Sequence, residues 1–255
     1  MLSRGFVLTA TAVCLALLAV AQDNYEIQVY AYDTVPAKST MVELHSNFTV
    51  DGSKTVSNGV LPTNHAEHET IEITHGVKDW AEVGFYFFNS QNPGRGMQFV
   101  GSHIRPRVTV PKSWNWPVGV SISQEFGWAK TAYSEDDWSY ELRPIIDKQV
   151  GKTYLSLNPT FEHALHGPNA ANGFEFTPNV NLGYDVTEKA NLALEYYGAV
   201  GHITDFDPKS AQQHQLFYAL NYDFGPAWEF NIAYGVGLTG ATDKSMVKMI
   251  IGRRQ

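Results

Sequence analysis

The stretch Trp228–Thr239, WEFNIAYGVGLT, decides the fold. Its even positions are Trp228, Phe230, Ile232, Tyr234, Val236 and Leu238, and its odd positions are Glu229, Asn231, Ala233, Gly235, Gly237 and Thr239. Successive side chains of an extended chain point to opposite sides, so this segment has one apolar face and one polar or small face. That is a strand. Phe174–Tyr184 repeats the pattern, setting Phe174, Phe176, Val180, Leu182 and Tyr184 against Glu175, Thr177, Asn179, Asn181 and Gly183. Val118–Trp128 does so again.

Working outward, the alternation predicts strands at 25–32, 40–50, 65–75, 81–89, 97–110, 118–130, 138–150, 153–163, 174–185, 191–201, 214–224, 228–239 and 246–254. Tight turns around Gly76–Asp79, Gly151–Lys152, Val186–Ala190 and Gly225–Ala227 alternate with longer loops at 51–64, 90–96, 131–137, 166–173, 202–213 and 240–245. Hairpins with short turns at one end and long loops at the other build a transmembrane β-barrel, whose tilted strands need about ten residues to cross a bilayer. A soluble sandwich would show Lys, Glu and Thr on its outward face. Here the polar face is rich in Gly, Ser, Asn and Ala. Trp128, Trp138, Tyr140, Phe174, Tyr184, Phe224 and Trp228 fall near strand ends, where aromatic girdles sit. The expected class is therefore an all-β, antiparallel up-and-down transmembrane barrel with short periplasmic turns and longer extracellular loops.

Thirteen candidates is an odd number, whereas bacterial single-chain barrels use even ones. Counting from residue 40 gives twelve strands over 40–255 with every short turn on the periplasmic side. Tyr25–Tyr32 is then left over: a periplasmic segment, a strand folded into the lumen, or one of fourteen. We adopt twelve strands plus an N-terminal segment, 22–39.

Composition narrows the function. The 255 residues are 44% hydrophobic and 17% charged with net charge −8, which excludes a disordered chain. Without a basic cluster no nucleic-acid partner is expected. Mean hydropathy is −0.23, and no long apolar run follows the first two dozen residues, so a helical multi-pass protein is excluded. The single cysteine, Cys14, excludes a disulfide scaffold. Met1–Ala21 reads as a secretory signal peptide, with Arg4 before an apolar core and Ala19-Val20-Ala21 as the cleavage site. The expected location is the bacterial outer membrane after cleavage near Ala21.

The runs HAEHETIEITHGVKDWAEVGFYFF (65–88) and PKSAQQHQLFYALNYDFGPAWEFNIAYGVGLTGATDKSMVKMIIGR (208–253) resemble outer-membrane barrels of the transporter-like group named after the MetA pathway of phenol degradation. The resemblance covers most of the mature chain in strand texture and turn phrases. It implies an outer-membrane barrel and passage of small hydrophobic or aromatic solutes. Expected partners are outer-membrane lipids, a small-molecule solute and the barrel-assembly machinery; the oligomeric state is left open.

If the apolar faces meet lipid, the lumen receives Glu43, His45, His68, Glu72, Glu82, His103, Arg105, Arg107, Glu125, Glu141, Arg143, Asp147, Glu162, Glu175, Glu195, Asp223, Glu229 and Lys248. Acids dominate, so an open channel would favour cations. The competing reading is a salt-bridge network that plugs the interior. Arg105, Arg107 and Arg143 are the natural partners of the carboxylates, because a guanidinium fork serves two of them. Pro106, Pro144, Pro159 and Pro178 lie within strands on the apolar face and cannot donate to the ladder. Bulges in the wall are the plain expectation; a lateral gate for an apolar solute is the sharper one.

Catalytic and metal motifs are weak. Ser102-His103 and His45-Ser46 are adjacent, so each pair points to opposite faces and cannot form a nucleophile and base. Asp136, Asp137, His202, Asp205 and Asp207 occupy loops without diagnostic spacing. His65 and His68 lie three apart on a strand and face opposite sides. No catalytic residue, metal ligand or cofactor is assigned. The alternatives to a channel are a lipase- or protease-like barrel enzyme and a plugged structural or adhesion barrel.

Overall fold

The computed structural model describes residues 24–255. The expected signal peptide and its cleavage site lie outside the described residues. Twelve long strands form the wall: β1 (Thr40–Asp51), β2 (Glu67–Lys78), β3 (Ala81–Gln91), β4 (Gln98–Thr109), β5 (Gly119–Ala129), β6 (Trp138–Val150), β7 (Thr153–His166), β8 (Glu175–Asp185), β9 (Ala190–Ala199), β12 (Gln213–Tyr222), β13 (Trp228–Gly237) and β14 (Ser245–Arg254). Two two-residue strands, β10 (Gly201–His202) and β11 (Asp205–Phe206), extend the sheet in the loop between β9 and β12. Each long strand pairs antiparallel with its neighbours, and β1 pairs with β14 from Met41↔Arg254 to Asp51↔Ser245. The barrel is closed, which leaves no free edge.

The alternation reads directly as inside and outside. Leu44 sits beside Ile71 and Ile251, and Ile71 beside Phe87, all outward and exposed. The inward residues of the same strands, Glu43, His45, Thr70, Glu72 and Tyr86, are buried. A wall this apolar outside and polar inside suits hydrocarbon around it, the reverse of a water-soluble core. Trp80, Tyr184, Phe224 and Trp228 cluster at the turn end, while Phe99, Trp138 and Phe206 stand at the loop end. At the Gly151–Lys152 turn, Gly151 has φ +58, a conformation glycine enters without a Cβ clash.

Tyr25–Tyr32 joins no sheet, so it is not one of fourteen strands, and twelve long strands plus an N-terminal segment remain. Two expectations differ from the structure. Asp223 is exposed in the β12–β13 turn, because β12 ends one residue earlier. The prolines do not sit at bulges: Pro106 opposes Val83, Pro144 opposes Ile122, and Pro159 opposes Pro178 in unshifted register. The register shifts occur at Thr49/Asp51, Gly76/Lys78, Phe88/Asn89 and Trp138/Ser139, near strand ends. Outward-facing prolines replace single donors here without adding a residue to the strand.

Candidate functional site: the barrel lumen

The lumen is filled at its centre by the chain itself. Residues 24–36 run from the loop end, where Asn24 donates to Asp243 Oδ2 at 3.1 Å, to the turn end, where the amide of Lys38 reaches the Gly76 carbonyl at 2.7 Å. An extended segment without a sheet must satisfy its backbone elsewhere. Wall side chains do this. Thr70 donates to Tyr25 O (2.7 Å) and Lys248 to Ile27 O (2.8 Å). Asn158 accepts from Tyr30 N at 2.7 Å, and Ser156 and Asn158 donate to Tyr30 O at 2.7 and 3.1 Å. Arg107 donates to Ala31 O (2.9 Å) and Asp33 O (2.7 Å), and Glu82 accepts from Val35 N at 2.6 Å.

Successive side chains of the segment turn to different walls. Tyr30 faces β3–β6, where Arg105, Arg143 and Arg107 lie 4.6, 4.8 and 5.6 Å from its ring centre. Its hydroxyl bonds Glu26 and lies 2.9 Å from the Tyr86 hydroxyl. The three guanidiniums are neutralised in turn. Arg105 pairs with Glu72 (2.6 Å) and Glu82 (3.4 Å), Arg107 with Glu82 (2.7 Å), and Arg143 with Glu141 (2.8 Å) and Glu26 (3.3 Å). Arg105 is 1% exposed, so these charges rest on one another rather than on solvent. Ile27 faces the other way, into an apolar cluster with Tyr197, Phe217 and Met246. One ion pair interrupts that side, Lys248 with Glu195 at 2.5 Å.

Towards the loop end the filling stops and a cavity of about 370 Å³ opens. Its wall carries a row of acids set by strand register: Glu125 opposes Glu141, Glu141 opposes Glu162, and Glu162 opposes Glu175. His202 of β10 continues the row beside Glu175 at 3.5 Å. Carboxylates directly opposite repel, so the row needs donors or cations beside it, and Arg143, His103 and the Thr177 hydroxyl supply three of them, on Glu141, Glu125 and Glu162. His103 bonds Glu125 and packs edge-on against Phe88 at 4.5 Å. His68 stands edge-on to Tyr25 at 4.7 Å, where the segment enters.

The residues assigned to the lumen from sequence thus divide between two levels. Arg105, Arg107, Arg143, Glu72 and Glu82 surround the segment, while Glu125, Glu141, Glu162 and Glu175 border the cavity. Glu195 and Lys248 stand on the apolar side. Glu43, His45 and Glu229 lie on β1 and β13 next to the closing seam. Asp147 accepts from Tyr32 N at 3.0 Å and Tyr154 Oη at 2.7 Å. Sequence reasoning missed Glu26, Tyr30 and Asn158. The available signal was the unpaired alternation of Tyr25–Tyr32, whose two faces both needed partners.

No family model matches the chain, and no curated protein matches its sequence. Solved structures do resemble it. The NanC porin has a TM-score of 0.57 at 9% identity, covering 83% of this chain and 97% of that one. The KdgM porin has 0.54 at 10% identity, covering 84% and 98%, and Omp33 of Acinetobacter baumannii has 0.50 at 10%, covering 86% and 98%. At these identities the likeness is one of fold, that of outer-membrane barrels.

Proposed function

We propose that the chain is a bacterial outer-membrane channel for small solutes, with an acidic loop-end mouth and a passage narrowed by its own N-terminal segment. The observation that carries this reading is a closed wall, apolar outside, whose interior opens through an arc of four register-paired glutamates. Such an arc concentrates cations and disfavours anions. An anionic oligosaccharide such as the oligogalacturonate held by KdgM in one structure is therefore a poor candidate. The long loops face outward and the short turns the periplasm, with residues 1–21 removed on export. Glu43, His45, His68, Glu72, Glu82, His103, Arg105, Arg107, Glu125, Glu141, Arg143, Glu162, Glu175, Glu195, Glu229 and Lys248 then line or brace the passage. No step of this function calls for a catalytic group.

Planar-bilayer recordings test the reading. The full chain should pass small, cation-selective currents, and deletion of residues 24–33 should enlarge them. A barrel silent in both forms would overturn it.

The resemblance to MetA-type barrels adds a finer reading, passage of aromatic solutes. Pro159 and Pro178 stand side by side on β7 and β8, and Pro144 faces β7 at an interruption of the β6–β7 pairing between Leu142↔Phe161 and Ile146↔Leu157. Together with Pro106, they offer a lateral route into lipid. Substituting the four prolines by valine should slow uptake of an aromatic solute while leaving ion conductance intact; unchanged uptake defeats the route.

A further inference from the structure

Glu43, His45 and Glu72 form a buried cluster on the inner wall of β1 and β2. Glu43 and Glu72 are register partners, so two buried carboxylates stand directly opposite each other. Arg105 and Thr74 engage Glu72 through Oε1 only, at 2.6 Å each. Glu72 Oε2 faces only His45 Nε2, 3.4 Å away, while Glu43 Oε1 and His45 Nδ1 have no hydrogen-bond partner, and His45 is 0% exposed. Glu43 makes no ion pair among the described residues. The unsatisfied atoms converge: one ligand atom from each of Glu43, His45 and Glu72 lies within 4.8 Å of the others. Buried polar atoms are normally paired, so the convergence of these donor atoms offers a place for a cation.

We infer that Glu43, His45 and Glu72 bind one first-row divalent cation of the zinc class. The donor set, two carboxylates and an imidazole, suits Zn²⁺ and its neighbours, whereas Ca²⁺ and Mg²⁺ ask for oxygen ligands and more of them. Ligands about 2.0–2.1 Å from a tetrahedral ion stand about 3.4 Å apart. His45 Nε2 and Glu72 Oε2 are 3.4 Å apart. Gly252 of β14 lies between Glu43 and Glu229 in the lateral row, where a Cβ would crowd the Glu43 side chain. The glycine leaves room beside the ion, and Glu229 adds a further carboxyl group from β13. The ion clasps β1 to β2 next to the β1–β14 seam that closes the barrel.

Tag-free protein, stripped with chelator and refolded with Zn²⁺ or Co²⁺, tests this. One equivalent of either metal should remain after desalting, Co²⁺ should show the visible absorption of a low-coordinate site, and Zn²⁺ should raise the melting temperature. Glu43→Gln, which keeps shape and removes charge, and His45→Ala should each lose the equivalent while keeping heat-modifiable migration; His68→Ala should retain it. A folded barrel that takes up neither Zn²⁺, Co²⁺ nor Mn²⁺ would overturn the site. So would undiminished metal content in both Glu43→Gln and His45→Ala. Neither readout depends on conductance.

Discussion

Along β3–β6 the lumen wall meets the N-terminal segment with Arg105, Arg107 and Arg143; along β9 and β12–β14 it meets the same segment with Tyr197, Phe217 and Met246. The first wall holds Tyr30 by charge and directional hydrogen bonds, and each guanidinium is paired, Arg105 and Arg107 sharing Glu82. The second holds Ile27 by contact, with Ala193, Ala219 and Ala233 making room for larger neighbours. An ionic wall fixes the position of what it grips but fails badly when one member is lost, because a buried charge is left alone. An apolar wall gives less direction and degrades in proportion to the contact removed.

The largest expected effect comes from breaking the ionic wall. Arg105→Met takes the guanidinium from Glu72 and leaves Glu82 to Arg107 alone, and should cost about 4 kcal/mol, within the range for removing one partner of a buried pair. Urea unfolding in lipid vesicles measures it, and a loss below about 1 kcal/mol would mean the wall is hydrated rather than dry. Next comes the ion pair on the apolar side. Lys248→Met alone should cost about 3 kcal/mol, whereas Lys248→Met with Glu195→Leu should return to within about 1 kcal/mol of the parent, because buried pairs are often replaceable by apolar residues. Failure of that rescue would show that Lys248 acts chiefly through Ile27 O and not through Glu195.

Ile27→Val is smaller, about 1 kcal/mol, and should not change with salt. The smallest effect on stability belongs to the mouth. Glu162→Gln retains an acceptor for the Thr177 hydroxyl, 2.8 Å away, so the fold should be unaffected within about 0.5 kcal/mol. Its reversal potential should still shift towards lower cation selectivity, most visibly at low ionic strength where screening is weak. A shift of equal size at high salt would place Glu162 in the narrow part of the passage instead of its open mouth.

Much of this site was legible beforehand. Parity along β1, β2 and β4 assigns Glu43, His45, Glu72, Arg105 and Arg107 to one face, and closure of the barrel puts that face inside. Arg105, with Glu72 and Glu82, and Arg143, with Glu141 and Glu26, each serve two carboxylates, whereas Arg107 serves Glu82 alone. Tyr25–Tyr32 shows the limit. It alternates as the wall strands do, yet neither face meets lipid, since Glu26 and Tyr30 turn to one wall and Ile27 and Val29 to the other. Alternation states that a segment has two unlike surroundings; it does not state what they are.

The sequence by itself determined the strand set, the two faces of each strand and the charge carried by the inner one, because all three follow from the two-residue repeat of an extended chain. Only the tertiary structure decided that β1 closes on β14, that residues 24–36 occupy the lumen, that four glutamates share one arc, and that Glu43, His45 and Glu72 converge. Those facts depend on strand register and on contacts as distant in sequence as Ile27 with Lys248, 221 positions apart. Such contacts are set by the geometry of closing the sheet, not by any local pattern.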